Sequence, residues 1–154
     1  MREILFKAKR LDNGKWVEGY YQKRKDYDEQ DEHLIFRCVS YHSWEYAKVD
    51  PRTICQYTGL TDKNGNKIWE NDILSYSYDY PDSPWLKADG KTNKDIVYKK
   101  GQVFWQGWRG TWAVTSRLGK KGGNQDVFVY CRNPNRTEVI GNIFDNAELL
   151  EGCE

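Results

Sequence analysis

Gln56-Tyr57-Thr58-Gly59-Leu60-Thr61-Asp62-Lys63-Asn64-Gly65-Asn66-Lys67-Ile68-Trp69-Glu70-Asn71-Asp72-Ile73-Leu74 reads as a strand end, a turn and a strand start in immediate succession. Asn64-Gly65 can take the positive φ angles that a tight hairpin turn requires, and Ile68 to Leu74 supply the apolar and aromatic residues that pair beyond it. The run defines a scaffold and contains no reaction centre.

Outward from this hairpin, the chain continues in β patterns. Ile4, Phe6 and Ala8 alternate with charges, Asp12-Asn13-Gly14 makes a reversal, and Trp16-Val17 leads a return strand to Tyr20. Gln22 to Glu32 is crowded with charge and reads as an exposed loop. Strands are expected at Leu34 to Val39, at about Thr53 to Tyr57 after Asp50-Pro51, and at Asp72 to Tyr78, while Ser43 to Lys48 is ambiguous. Pro81, Pro84 and Gly90 break the pattern between Asp79 and Asp95, so this is the longest expected loop, with Trp85 as a contact element or a ring folded back as a lid. Ile96 to Tyr98, Gln102 to Gln106, Thr111 to Thr115 and Asp126 to Cys131 read as a meander, with a basic, glycine-rich tip from Arg117 to Gln125. Glu138 to Phe144 is the closing strand, and Asp145-Asn146-Ala147-Glu148 has the capping-box spacing of a short helix through Leu150.

Composition agrees with a mainly β fold. Seven Trp, eleven Tyr and five Phe in 154 residues mean that much of the core must come from rings, which suit a pleated, half-buried surface. The expected architecture is antiparallel hairpins and a meander forming one or two small, partly closed barrel-like sheets. One domain over 1–154 is expected, divisible into two intertwined sub-barrels of about 1–60 with 135–154 and about 61–134. Lys and Arg number 24 against 23 Asp and Glu, so bulk charge points to no nucleic-acid partner, and the local basic clusters read as solvated faces or guarded sheet edges. There is no apolar run of membrane-spanning length and no secretory leader at Met1-Arg2-Glu3, so a cytoplasmic protein is expected.

Three blocks together resemble the YopX proteins of phages and prophages. The first runs from Arg2 to Arg10 with the Asn13-Gly14-Lys15-Trp16-Val17-Glu18-Gly19-Tyr20 return. The second is Val49-Asp50-Pro51 with Gln56 to Leu60, the Asp62-Lys63-Asn64-Gly65 turn and Ile68 to Ile73; its motif positions are Gly59, Asp62, Asn64, Gly65, Glu70 and Asp72. The third is Val139-Ile140-Gly141-Asn142-Ile143-Phe144-Asp145-Asn146, in which Gly141, Asn142 and Asp145 carry the pattern. The resemblance implies a mainly β, barrel-like fold, a gene carried by a temperate phage or an integrated element, and no assigned activity. Asn71 stands where the family pattern usually has Gly, which implies a positive-φ position.

The residues that could carry chemistry are few. His33 and His42 lack metal-ligand spacing and read as surface residues, and the four cysteines contain no Cys-x-x-Cys pair. Cys38 and Cys131, at strand positions, read as small buried hydrophobes. Asp62, Glu70 and Asp72 could form a carboxylate cluster for hydrolysis, against the plainer reading in which such residues bond to turn amides. Neither a phosphate loop, a metal site nor a cofactor is expected.

Val103 to Thr111, closed by Trp112, is the best binding segment: Trp105, Trp108 and Trp112 lie close to Arg109, with Lys120 and Lys121 in the basic tip. Small barrels bind single strands by stacking bases on such rings beside positive charge, whereas strand alternation turns some of them into core, with Phe104 opposite to Trp105. Of the three, Trp108 is expected to be the most exposed. The expected role is therefore a non-enzymatic binding module with a protein partner, a homo-oligomer included. The alternatives are a single-stranded nucleic-acid-binding accessory protein and a hydrolase.

Overall fold

The computed structural model describes residues 3–77, 98–115 and 136–151. Two antiparallel sheets account for its described strands, one of six strands and one of four. The chain divides into two compact units, Met1–Gly59 and Leu60–Glu154.

In the first unit, β1 (Phe6–Lys9), β2 (Trp16–Lys25), β3 (Asp31–Ser40) and β4 (Ser43–Lys48) form a meander. Ala8 pairs with Val17, Tyr21 with Ile35, and Ile35 with Ala47. This register puts Ala8, Val17, Tyr21, Ile35 and Ala47 on one face. Ala8, Ile35, Ala47 and Val49 are buried there, with Phe6, Val17, Tyr21 and Ile54 packed against them. Beyond β4 the chain returns to β1 through the bridge Arg10↔Val49, where the Leu11 amide donates to the Lys48 carbonyl and the Asp50 amide to the Lys9 carbonyl. The sheet thus curls around its core without closing as a barrel.

The segment Gln22 to Glu32 is a correction: it is a strand pair, not a loop. Lys23 and Lys25 both pair with Asp31, while Arg24 and Lys48 both pair with Glu32. Contacts first from Lys23 and then from Lys25 hold the Asp31 carboxyl down to about 2. The turn between these strands repeats the chemistry of the Asn64-Gly65 hairpin. The Asp26 carboxylate accepts the amides of Asp28 and Gln30, and Glu29 takes φ 59° where the other hairpin has a glycine. A charge-dense segment with Glu in place of Gly conceals both the strands and the turn from a reading by composition. Ser43 to Lys48 resolves as β4. The strand expected from Thr53 begins later, because Pro51–Thr53 forms a 3-10 turn capped by Asp50 before β5 (Cys55–Thr61).

The second unit contains β6 (Lys67–Trp69), β7 (Asp72–Tyr76), β8 (Lys99–Gln106), β9 (Thr111–Thr115) and β10 (Thr137–Asn142). Its core is Ile68, Leu74, Tyr76, Val103, Trp112 and Val114, with Leu60 and Val139 against it. β10 pairs with β7, so the C-terminal segment joins this unit and not the first sixty residues with which it was expected to group. A bulge between Val139 and Gly141 brings Gly141 so close to Asn146 that a Cβ would lie 2.5 Å from its Oδ1. The Asn142 carbonyl oxygen Oδ1 accepts the amides of Phe144 and Asp145, and Asn142 Nδ2 donates to Asp145. The short helix expected here is a 3-10 turn, Ala147–Leu150, whose Asn146 cap makes no side-chain capping bond, its Oδ1 accepting the Asn142 amide instead.

Asn64-Gly65 also differs from a two-residue turn. Gly65 takes φ 81° while Asn64 stays at negative φ; the Gly65 amide donates to the Asp62 carbonyl and the Asp62 amide to Asn66. This is a three-residue loop with its left-handed position at the glycine. Asn71 adopts φ 66°, as its place before Asp72 implies.

Candidate functional site

β8 and β9 meet in a hairpin whose register places Trp105 opposite Trp112 and Gln106 opposite Thr111. The reversal Gly107-Trp108-Arg109-Gly110 is closed by the Arg109 amide on the Gln106 carbonyl and the Gly110 amide on the Gly107 carbonyl. Gly110 supplies a left-handed residue with φ 61°. This geometry separates the three indoles. Trp112 enters the core with 5% exposure, Trp105 lies against it edge to face at 5.2 Å with 45% exposure, and Trp108 stands out at the tip with 70%. The Arg109 guanidinium lies 4.3 Å from the Trp108 ring centroid. Phe104 points away from Trp105 and is half-buried. Trp85, Lys120 and Lys121 lie outside the described residues, as do the strand expected from Asp126 to Cys131 and the basic tip.

Two of the three carboxylates expected as a cluster, Asp62 and Asp72, are taken up by backbone amides. Asp62 is buried, and its side chain accepts the amides of Asn64, Asn66 and Val139 at 2.9–3.0 Å, with Asn66 Nδ2 at 3.3 Å. Burial pushes this carboxyl up, but the amides of Val139, Asn66 and Asn64 outweigh it and hold the group below the usual carboxylate range. Asp72 is also buried and accepts the Trp69 amide at 2.8 Å. Among the described residues, no three His, Cys, Asp or Glu side chains are grouped so as to hold a metal ion.

Two smaller expectations are corrected. His33 is half-buried, with Nδ1 2.7 Å from the Tyr21 hydroxyl and its ring stacked on that tyrosine, because β3 turns it toward Tyr21. Cys38 is exposed on β3, outside the core, whereas Cys55 is buried; Cys131 lies outside the described residues.

A second group of exposed rings escapes the sequence reading. Tyr20, Phe36 and Tyr46 stand opposite one another across β2, β3 and β4, and Trp44 lies beside Tyr20 with ring centroids 6.0 Å apart. The alternation of Trp44, Glu45 and Tyr46 was its sequence signal, within the segment whose type was ambiguous.

Fold and site define a small, mainly β protein of two antiparallel sheets that presents aromatic residues to solvent. The chain belongs to the YopX family: the YopX protein family model matches residues 5–151. A crystal structure of a protein from Enterococcus faecalis is similar with a TM-score of 0.51 and 22% identity, over 98% of this chain and 100% of that one. That likeness concerns the fold alone. No curated protein matches. Among the described residues, no helix is long and apolar enough to cross a membrane.

Proposed function

We propose that the protein is a binding module that recognises a partner protein and performs no chemistry of its own. The observation that carries this reading is Trp108, 70% exposed at a hairpin tip with Arg109 against its face. Trp and Arg are the residue types that most often dominate interface energies, and a ring projecting from a two-stranded tip suits a concave pocket on a partner. Burying such a side chain is worth about 1.5–3 kcal/mol before ordering costs, so an indole held in water by its own backbone is better explained by a ligand than by stability. The engagement of Asp62 and Asp72 with backbone amides supports recognition over hydrolysis. The phage or prophage setting that the resemblance implies leads us to propose a phage or host protein in the bacterial cytoplasm as the partner.

Replacing Trp108 with a photoreactive phenylalanine analogue in cells that carry the gene tests this. A discrete protein adduct is expected from position 108 and none from position 27, a still more exposed ring site on the first unit. Equal labelling from both positions, or none from either, would refute the reading.

A further inference from the structure

The outward face of the first unit bears a surface that the hairpin tip does not account for. Strand alternation puts Phe6, Ala8, Val17, Tyr21, Ile35 and Ala47 on one core, so the intervening positions lie on the opposite face, where Leu34 is itself fully buried beneath its neighbours. These include five rings: Trp16, Tyr20, Phe36, Trp44 and Tyr46. Tyr20, Trp44 and Tyr46 are exposed, while Trp16 and Phe36 are half-buried between neighbours. Phe36 and Tyr46 have ring centroids 5.7 Å apart and Tyr20 and Trp44 6.0 Å apart, which makes a continuous aromatic surface across three strands.

The charge on this face has a modest positive excess. Lys7, Lys9, Arg24 and Lys48 occupy outward positions, against the carboxylates Glu18 and Glu32, although the whole chain is nearly neutral. The cations sit on the rings: Lys7 and Lys9 lie 4.9 and 5.5 Å from the Trp16 centroid, and Arg24 lies 5.7 Å from that of Tyr46. Glu32 pairs with both Arg24 and Lys48, which fixes these two beside Tyr46.

We propose that the outward face of β1 to β4 binds single-stranded nucleic acid, bases stacking on the rings and phosphates meeting the four cations. Exposed rings interleaved with cations on a sheet face are the arrangement that binds unpaired bases without demanding a sequence, and a duplex, its bases stacked on one another, could not use them. The charge excess of this face matches a polyanion better than it matches a second copy of the same surface, which would repel it.

The test is fluorescence anisotropy of an end-labelled fifteen-nucleotide oligo(dT) titrated with the full chain at two salt concentrations. Binding is expected to weaken as salt rises, and the Lys7→Gln, Lys9→Gln double variant should lower the salt slope by about 1.4 through two lost phosphate contacts. Trp44→Ala and Tyr46→Ala, exposed positions whose folding is checked by circular dichroism, should each weaken affinity about five-fold or more. Trp108→Ala should leave it unchanged, which separates this surface from the hairpin tip. Absence of binding at low salt, or binding indifferent to the ring and lysine variants, would overturn the proposal. So would light scattering in which the ring variants abolish self-association while oligonucleotide binding is absent, because the face would then belong to a second copy.

Discussion

Asp62 is the residue on which the second unit's best-defined turn depends. One carboxylate accepts three backbone amides, two within its own loop and one from Val139 on β10, so it ties residues that are 77 positions apart. Asp62→Asn keeps the shape but removes charge and one acceptor site, and a buried amide left without its acceptor costs about 1–3 kcal/mol. The expected result in chemical denaturation is a loss in that range with the fold retained. Its acidity adds a pH dependence of definite sign. The folded carboxyl titrates below its unfolded value of about 3.9, so its contribution is fully present above that value and is lost as pH falls through the lower, folded one. Stability of the wild type should decline through that acidic window more steeply than that of Asp62→Asn. Equal slopes would show that the carboxylate is not ionised in the folded turn. The role of Asp62 was legible in the sequence because an Asp two residues before Asn64-Gly65 is turn chemistry. The bond to Val139 was not, since nothing local records a strand arriving from the far end of the chain.

The two Asp-anchored hairpins are the same element built with different residues. Asp26-Tyr27-Asp28-Glu29-Gln30 and Asp62-Lys63-Asn64-Gly65-Asn66 share the carboxylate that accepts amides two and four residues on, and each has a left-handed fourth position. In one that position is Gly65; in the other it is Glu29, and a side chain there costs about 1–2 kcal/mol. Glu29→Gly should therefore raise the unfolding midpoint, by about 0.5–1 kcal/mol after the entropy of the glycine is set against the relieved strain. Gly65→Val should lower it by about 1 kcal/mol or more. Opposite signs identify the shared geometry, and a loss from both would contradict it. This explains why one hairpin could be read from the sequence and the other could not: Asn-Gly advertises a turn, whereas Asp-Glu among lysines looks like solvated loop. The strands flanking Glu29 are held by cross-strand ion pairs such as Arg24 with Glu32, a pairing visible only once the register is known.

Across the molecule, the two units each enclose a core of their own and each expose rings. The mainly β class, the hairpins and the identity of β9 follow from alternation and turn residues that act within a few positions. The assignment of β10 to β7 depends on long-range pairing and was not legible. Of the aromatic segment, the prominence of Trp108 was readable from its flanking Gly107 and Arg109, while the ring face of β2 to β4 depended on a segment whose periodicity was ambiguous. Recognition through the tip requires that Trp108 be unnecessary to the fold and that Trp112 be indispensable to it. Truncating a buried Trp costs about 3–5 kcal/mol, and truncating an exposed one falls within about 0.5 kcal/mol. The decisive measurement is the amount of partner protein captured from cells by Trp108→Ala relative to wild type, taken with the unfolding midpoint of each and with Trp112→Ala as the core reference. We predict a lost partner and an unchanged midpoint for Trp108→Ala beside a sharply lowered midpoint for Trp112→Ala. Undiminished capture by Trp108→Ala, or a midpoint lowered as far as that of Trp112→Ala, would contradict the account.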